Sequence, residues 1–471
     1  MGRLGLLFKI FREFTSIIHL SKALVYSITF LSVISVSFSV TACSPDNTTS
    51  SWDYTTESRA TREFMFNYDL LRFHYNDAKK YLGDPEDYIG KIKDSALAEY
   101  NVPWDYYDIY YMYYMMNDPH TQYVDPAHSV LLLDKLNSSE QKMDAGFQWE
   151  KQGLSNNYVI TSVVKNSSAD KNGLKVGDQI IAIEGVAPTS DIVFNRLSGG
   201  TNGDIITYTI KRDSQELILP IKLAPYYTPT VELTYKDSIP VIKILEFTKQ
   251  TSNNLGTYGE FVDYLHETEK YKSTIIDLRD NGGGDGDQCF DMAKQLLPKG
   301  DSLAGIIEAG PDKNRNRQTF DTTFEINNID GIAKDRYFVF LVNGQSASCS
   351  EVFLLSVTMN RKLPVVGTTT YGKGIGQNLI TTPSFSLAVI TALKVVDKKI
   401  NTYHKYGIEP DFIIYDNEQA LNKAVELAKE MTYVRIAEYG SVNTGHFAKM
   451  AVEPDTMPGF YFLPDDMRRQ W

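Results

Sequence analysis

Cysteine is scarce: the chain has three in 471 residues, at positions 43, 289 and 349. With Cys43 set apart for reasons given below, Cys289 and Cys349 are too few for a disulfide framework. Neither sits in a CxxC or Cys/His cluster, so the spacing of a structural zinc site is missing and no metal is expected. A basic stripe is also lacking. The formal net charge of −12 runs against a nucleic-acid binder, which grips phosphates with clustered Lys and Arg. No internal repeat divides the chain. Its length exceeds a typical single domain, so two or three cores are expected.

Tyrosine, by contrast, is abundant, with 30 residues, several of them in "WDYYDIYYMYYMM". That run reads as a buried helix with polar phenol tips. At the N-terminus, Arg3, Lys9, Arg12 and Lys22 precede an apolar stretch from Ala23 to Val40 that closes on Thr41, Ala42 and Cys43. A charged head, an apolar middle and a small-residue end describe an export signal. "VTAC" resembles a lipobox, whose cysteine becomes the lipidated first residue of a bacterial lipoprotein, and the polar "SPDNTTSS" that follows suits a tether. A plain transmembrane anchor is the competing reading. Ser44 after the cysteine resembles signals for the outer membrane, so the expected location is the cell envelope, facing the periplasm or the cell surface.

Residues 59–135 read as helical, from mixed three and four spacing of apolar positions, and close on the turn-like "NDPHTQYVDP". Residues 136–225 change to short β-rich runs, among them "YVITSVV", "QIIAIEG" and "DIITYTIKR". From 226 to 430 strands alternate with helices, which predicts a layered α/β core ending in the helix "NEQALNKAVELAKEM". Residues 431–471 form an extension with no assigned role.

Three strand-to-loop junctions in the core are candidates for chemistry. In "IIDLRDNGGGDGDQ" a strand ends in glycines before an amphipathic helix, which frees N–H groups for a phosphate or an oxyanion. In "VNGQSASCSEVFLLSV" Ser346, Ser348 and Ser350 stand where strand turns into helix. Ser348 and Glu351 are spaced as a capping box, so the triplet alone leaves cap and nucleophile open. In "LPVVGTTTYGKGIGQ" Gly367, Gly372 and Lys373 imitate a P-loop, yet Gly374 stands where Ser or Thr would ligate magnesium and a strand-like segment follows. The lysine is then either a solvated surface group or a desolvated general base.

Together these motifs resemble the carboxyl-terminal processing, or tail-specific, proteases, serine peptidases with an embedded PDZ domain. "NDPHTQYVDP" is similar to the "DDPHTxYL" segment of that family, "DLRDNGGG" to "DLRxNxGG", "SASCSE" to "SASASE" and "TYGKGIGQ" to "TxGKGxxQ". "NNYVITSVVKNSSADKNGLKVGDQIIAIEGVAP" resembles the PDZ stretch, and the resemblance covers roughly residues 59–425. It implies an α/β multidomain protein: a layered serine-protease core of the ClpP/crotonase-like type, a helical N-terminal region and an inserted PDZ domain at 136–225.

Carried over by position, the resemblance makes Ser348 the nucleophile, Lys373 the base and Gln377 the residue that orients the lysine. Oxyanion donors fall on the backbone N–H groups of Gly283 and Cys349. Gly146 and Phe147 in "MDAGFQWEK" fall at the end of the PDZ carboxylate-binding loop, which is only partly like the usual GLGF. Cys349, where the family carries alanine, is a departure expected to leave activity intact and to add oxidation sensitivity. The resemblance implies no cofactor. It implies protein or peptide substrates with accessible C-termini and a membrane contact through lipidated Cys43, and it leaves the oligomeric state open. A non-catalytic lipoprotein that holds partners through its PDZ domain is the alternative, and a nucleotide-binding protein is a weaker one.

Overall fold

The computed structural model describes residues 59–91, 106–152 and 157–431. The predicted export signal over 1–42, Cys43, the 43–58 tether and residues 432–471 lie outside them.

Helix α1 (Arg59–His74), α2 (Ala78–Tyr81), α3 (Tyr107–Met115), strand β1 (Gln122–Val124) and α4 (Pro126–Asn137) form the mainly helical first region. The tyrosine run is indeed a buried helix: Tyr110 donates to Asp125 Oδ2 at 3.0 Å and Tyr113 to Asn67 Oδ1 at 2.9 Å. Burial is thereby combined with a partner for each phenol.

The inserted domain is entered and left through paired short strands, β2 (Gln141–Lys142) and β8 (Tyr226–Tyr227). Between them lie β3 (Phe147–Gln152), β4 (Asn157–Val163), α5 (Ser168–Lys171), β5 (Gln179–Ile183), α6 (Asp191–Ser198), β6 (Ile205–Arg212) and β7 (Gln215–Lys222). The five longer strands make an antiparallel sheet in sequence order, with β3 at one edge. Tyr158, Phe194, Tyr208 and Ile210 fill its core. The domain touches the main body where Lys165 pairs with Asp263 at 2.6 Å.

The core holds β9 (Val231–Lys236), β10 (Ile239–Ile244), α7 (Gly256–Glu267), β11 (Ser273–Asp277), α8 (Gly286–Lys294), β12 (Ser302–Pro311), β13 (Gln318–Ile326) and β14 (Tyr337–Val342). It continues with α9 (Cys349–Thr358), β15 (Val365–Gly367), β16 (Ile375–Thr381), β17 (Leu387–Val396), β18 (Phe412–Ile413) and α10 (Asn417–Glu430). One sheet runs β18-β15-β14-β11-β10-β9, parallel except for the β9–β10 pair. Every residue of β11 and β14 is buried, as expected of parallel strands covered on both faces, which explains the unbroken apolar run of β14.

A second, antiparallel sheet is built from β1, β17, β12 and β13, with β16 also on β17. The sequence reading anticipated strand-like residues after Gln377 but not the β12–β13 hairpin. Half of that hairpin faces solvent: β13 is exposed or half-buried along its whole length, so it carries no apolar alternation to read.

Register in the parallel sheet positions the site. Asp277, the last residue of β11, lies opposite Leu341, and Val342, the last of β14, lies opposite Gly367, the last of β15. The three predicted junctions therefore leave adjacent strands at one level, at their carboxyl ends, where open α/β sheets bind ligands.

All ten residues of α9 are buried, and Phe353 on it meets the rings of Phe247, Phe261 and Phe340 at centroid distances of 6.2, 6.0 and 6.1 Å. Phe353→Ala is expected to cost about 3–5 kcal/mol by loss of contacts and creation of a cavity. Chemical denaturation checks this against Val130→Ala, which at 71% exposure should change stability by less than about 0.5 kcal/mol.

Candidate active site

The glycine-rich junction after β11 is organised by Asn281, which is fully buried. Its Nδ2 donates to the Ile244 carbonyl at 3.0 Å and its Oδ1 accepts from the Gly283 amide at 2.8 Å. Two of the glycines are there because nothing larger fits. A Cβ on Gly283 (φ +107°) would lie 2.7 Å from Ser348 Cβ, and one on Gly284 (φ +141°) would lie 2.0 Å from the Phe247 carbonyl oxygen. The Gly283 N–H, assigned by resemblance to the oxyanion, is turned into the loop toward Asn281 in this conformation.

The serine junction is stitched to that loop by the outer members of the triplet. Ser346 Oγ donates to the Leu278 carbonyl at 2.9 Å, Ser350 Oγ donates to the Asn281 carbonyl at 2.9 Å, and the Ala347 amide donates to the same carbonyl at 3.0 Å. Both outer serines are buried. Ser348, half-exposed, differs from them: it precedes α9 with φ +53° and ψ −116°, a conformation that non-glycine residues avoid and that costs on the order of 1–3 kcal/mol. Such strain persists only where the surroundings enforce it, and here Gly283 packs directly on the residue. The following residue, Cys349, opens the helix, a position whose N–H has no intrahelical acceptor.

Glu351 joins the serine junction to the lysine junction. Its Oε2 accepts from the Ser348 and Lys373 amides, both at 2.9 Å. Its Oε1 accepts from the Gly372 amide at 2.7 Å and from Thr370 Oγ1 at 2.5 Å. The capping-box spacing in the sequence is therefore real on the Glu351 side, but the carboxylate also holds a loop about twenty residues downstream. Burial pushes the Glu351 carboxyl up to about 7, against the downward pull of its four donors.

Lys373 is 9% exposed, and burial lowers its pKa below the usual lysine value, although Cys349, Asp118 and Glu351 pull it upward. A solvated surface lysine is thereby excluded. The P-loop likeness fails as well, because the chain enters strand β16 rather than a helix N-terminus. The glycines flanking Lys373 also admit the 404–407 segment: a Cβ would lie 2.7 Å from the Gly407 nitrogen at Gly372 and 2.9 Å from the His404 nitrogen at Gly374.

Gln377 stands on β16 opposite Thr391, at an irregularity in the β16–β17 register. Its Nε2 is buried without a hydrogen-bond partner, so no bond ties it to Lys373 here. Two residues that the sequence reading did not single out flank the lysine, His120 and His404. Burial brings both imidazoles down to about 4, so they stand neutral beside Lys373 at pH 7. His120 belongs to the "NDPHT" turn, and its amide donates to Asp118 Oδ1 at 2.9 Å. Asp118 also accepts from Thr121 Oγ1 at 2.8 Å, and that hydroxyl accepts from the Thr391 amide at 3.0 Å. The matched motif in the sequence was the available signal for His120. His404 carried none.

Cys349 Sγ donates to the Gly284 carbonyl at 3.2 Å. Its neighbour Cys289 is held well above the ordinary thiol value, first by burial and then by the Cys349 thiol. The two sequence-nominated PDZ residues lie apart from this site, in the inserted domain. Gly146 has φ +82°, with Ser167 Cβ only 2.2 Å from where its own Cβ would be, and Phe147 opens β3 with its ring 5.4 Å from that of Tyr208.

Residues 238–414 match peptidase family S41 and residues 137–192 match the PDZ domain. A CtpA-like serine protease of Staphylococcus haemolyticus is 31% identical over 296 residues, which cover 61% of this chain and 56% of that protein. Its counterpart in Staphylococcus epidermidis is 29% identical over 305 residues, covering 64% and 58%. The chain thus matches a little over half the length of these relatives. The solved photosystem II D1 C-terminal processing protease aligns over 79% of this chain and 97% of its own, at 19% identity and a TM-score of 0.44. This chain carries a peptidase family S41 region and a PDZ domain, and CtpA-like serine proteases are its homologues.

Proposed function

We propose that this chain is a serine endopeptidase that receives protein C-terminal tails on its PDZ domain and cleaves peptide bonds with Ser348 and Lys373. The observation that carries this reading is the sharing of one Glu351 oxygen by the Ser348 and Lys373 amides, each 2.9 Å away. It fixes a strained, half-exposed serine close to a desolvated lysine.

A serine hydroxyl needs a neighbouring base, and lysine serves only when neutral. Burial of Lys373 moves it toward that condition. Ser348 Oγ then attacks a peptide carbonyl as its proton passes to Lys373. The lysine returns the proton to the leaving amine, and water releases the acyl-enzyme. Cys349 N–H, the first of α9 and without an intrahelical acceptor, is the proposed oxyanion donor. Gly283 N–H joins it once released from Asn281 Oδ1. Gln377, with an unpartnered buried amide nitrogen, is the residue assigned to orient the lysine during turnover. The β3 edge of the PDZ sheet offers unpaired backbone groups to a substrate strand. The enzyme is further proposed to sit at the cell envelope on a lipid attached to Cys43, probed by metabolic labelling with an alkyne fatty acid. Wild-type protein should incorporate the label and Cys43→Ala should lose it.

Ser348→Ala and Lys373→Arg are each expected to lower kcat on an unfolded protein substrate by at least about a thousandfold while the fold persists. Arginine keeps the bulk and the charge but cannot become neutral. Near wild-type cleavage by either variant would refute the assignment and favour a non-catalytic binding protein.

The pH profile is a second test. Activity requires Lys373 neutral and Glu351 ionised, and acidification removes both states. With the Glu351 carboxyl at about 7, kcat/KM is expected to fall as pH drops through that value. In Glu351→Gln one acceptor oxygen becomes a donor facing donors, so most activity and the inflection near 7 should disappear together. A Glu351→Gln enzyme with unchanged rate and profile would refute the role.

A further inference from the structure

The loop that resembles a carboxylate-binding loop already holds a carboxylate. Asp144 Oδ1 accepts from the Gly146 amide at 2.7 Å and from the Tyr226 hydroxyl at 2.7 Å. In a PDZ domain that captures a C-terminus, the N–H groups of this loop are left for the ligand. Here the Gly146 N–H is used from within.

The geometry around it is fixed. Gly146 cannot swing away by accommodating another conformation or a larger residue, because its carbonyl accepts from the Val164 amide at 2.9 Å and from Ser167 Oγ at 3.2 Å. Asp144 itself is exposed, three residues before β3, the edge strand of the sheet. Aromatic rings join β3 to α6: Phe194 of α6 lies 6.5 Å from Phe147 and 4.5 Å from Trp149, centroid to centroid. Two further carboxylates lie nearby: Glu184 acts with Asp144 on Tyr208, and Glu140 acts with Asp144 on Tyr226. Lys142 lies 4.0 Å from Glu140, and Lys151 on β3 and Arg196 on α6 are the cations of those two elements.

We propose that Asp144 sets the specificity of this PDZ domain. The domain takes a substrate strand through the β3 edge and apolar side chains, and at the loop it presents a carboxylate instead of receiving one. A strand with a neutral or cationic group at that point is preferred to one ending there in a free carboxylate. The substrate class is then a tail that runs past the loop, or ends beside it in a basic residue, rather than one held by its terminal carboxylate. This inference rests on the proposal that the PDZ domain receives substrate strands, and it changes the feature by which they are read.

The test uses the full chain carrying Ser348→Ala and fluorescent peptides of one apolar sequence ending in a free carboxylate, a carboxamide or a lysine carboxamide. Fluorescence anisotropy should show the carboxamide binding at least as tightly as the acid, and the lysine peptide most tightly at low salt. Asp144→Asn removes the charge and Asp144→Gly also frees the Gly146 N–H. The acid-to-amide affinity ratio should rise by about tenfold across this pair, the glycine variant moving further. The inference is overturned if the unmodified loop prefers the acid by about tenfold or more, or if both substitutions leave the ratio unchanged. In those cases the strand-receiving role survives. Failure of every peptide to bind would remove that role and the inference together.

Discussion

The candidate site depends on one buried carboxylate. Glu351 lies in the interior on the first turn of α9, and each of its oxygens accepts two hydrogen bonds. An ionised carboxylate taken out of water is stable only when donors replace its hydration, and each donor orphaned by its loss would cost about 1–3 kcal/mol. Three of the four donors are backbone amides, so the carboxylate fixes chain paths rather than side-chain rotamers. Two of those paths carry Ser348 and Lys373. Whatever chemistry the pair performs, their separation is set by this single group.

The remaining constraints hold the other junctions to that frame. Asn281 accepts at its carbonyl from Ala347 and Ser350, which locks the glycine loop to the serine turn. Gly283 permits the contact because any Cβ would strike Ser348. On the far side, Thr370 Oγ1, besides donating to Glu351, accepts from the Ile408 amide at 2.7 Å, and the Lys405 amide donates to the Gly372 carbonyl at 2.7 Å. The lysine loop is thus pressed between α9 and a segment that follows β17. The parallel register brings these loops to one level, and the polar contacts convert that proximity into a fixed arrangement.

Much of this was legible in the residues. The unbroken apolar run of β14, the glycines after Asn281 and the Ser348–Glu351 spacing each have a local cause, and local causes leave a pattern. The resemblance singled out Ser348, and burial and partners separate Ser346 and Ser350 from it, while the local sequence setting of the three is nearly the same. The reach of Glu351 to Thr370 and Lys373 left no pattern, because it is a contact across the sheet. His404 and the β12–β13 hairpin were missed for related reasons. A histidine in an irregular segment carries no periodicity, and a hairpin with one solvated strand shows little apolar alternation. Gln377 was named by resemblance, and its position on β16 without a bond to Lys373 separates a motif match from an established contact.

A lysine meant to act as a base faces a physical conflict, since it must be neutral although carboxylates lie near. Asp118 and Glu351 both favour the ammonium, and burial opposes them and prevails. Burial lessens the conflict at Glu351 as well. It pushes that carboxyl toward neutrality against the downward pull of its four donors, while Asp118 accepts from the His120 amide and the Thr121 hydroxyl. Burial also keeps the His120 and His404 imidazoles uncharged at pH 7. Desolvation of Lys373 is therefore a property of the whole enclosure. Thr370, by donating to Glu351, pulls that carboxyl back toward the ionised form, so its loss would leave Glu351 closer to neutral and the Lys373 ammonium with less to hold it.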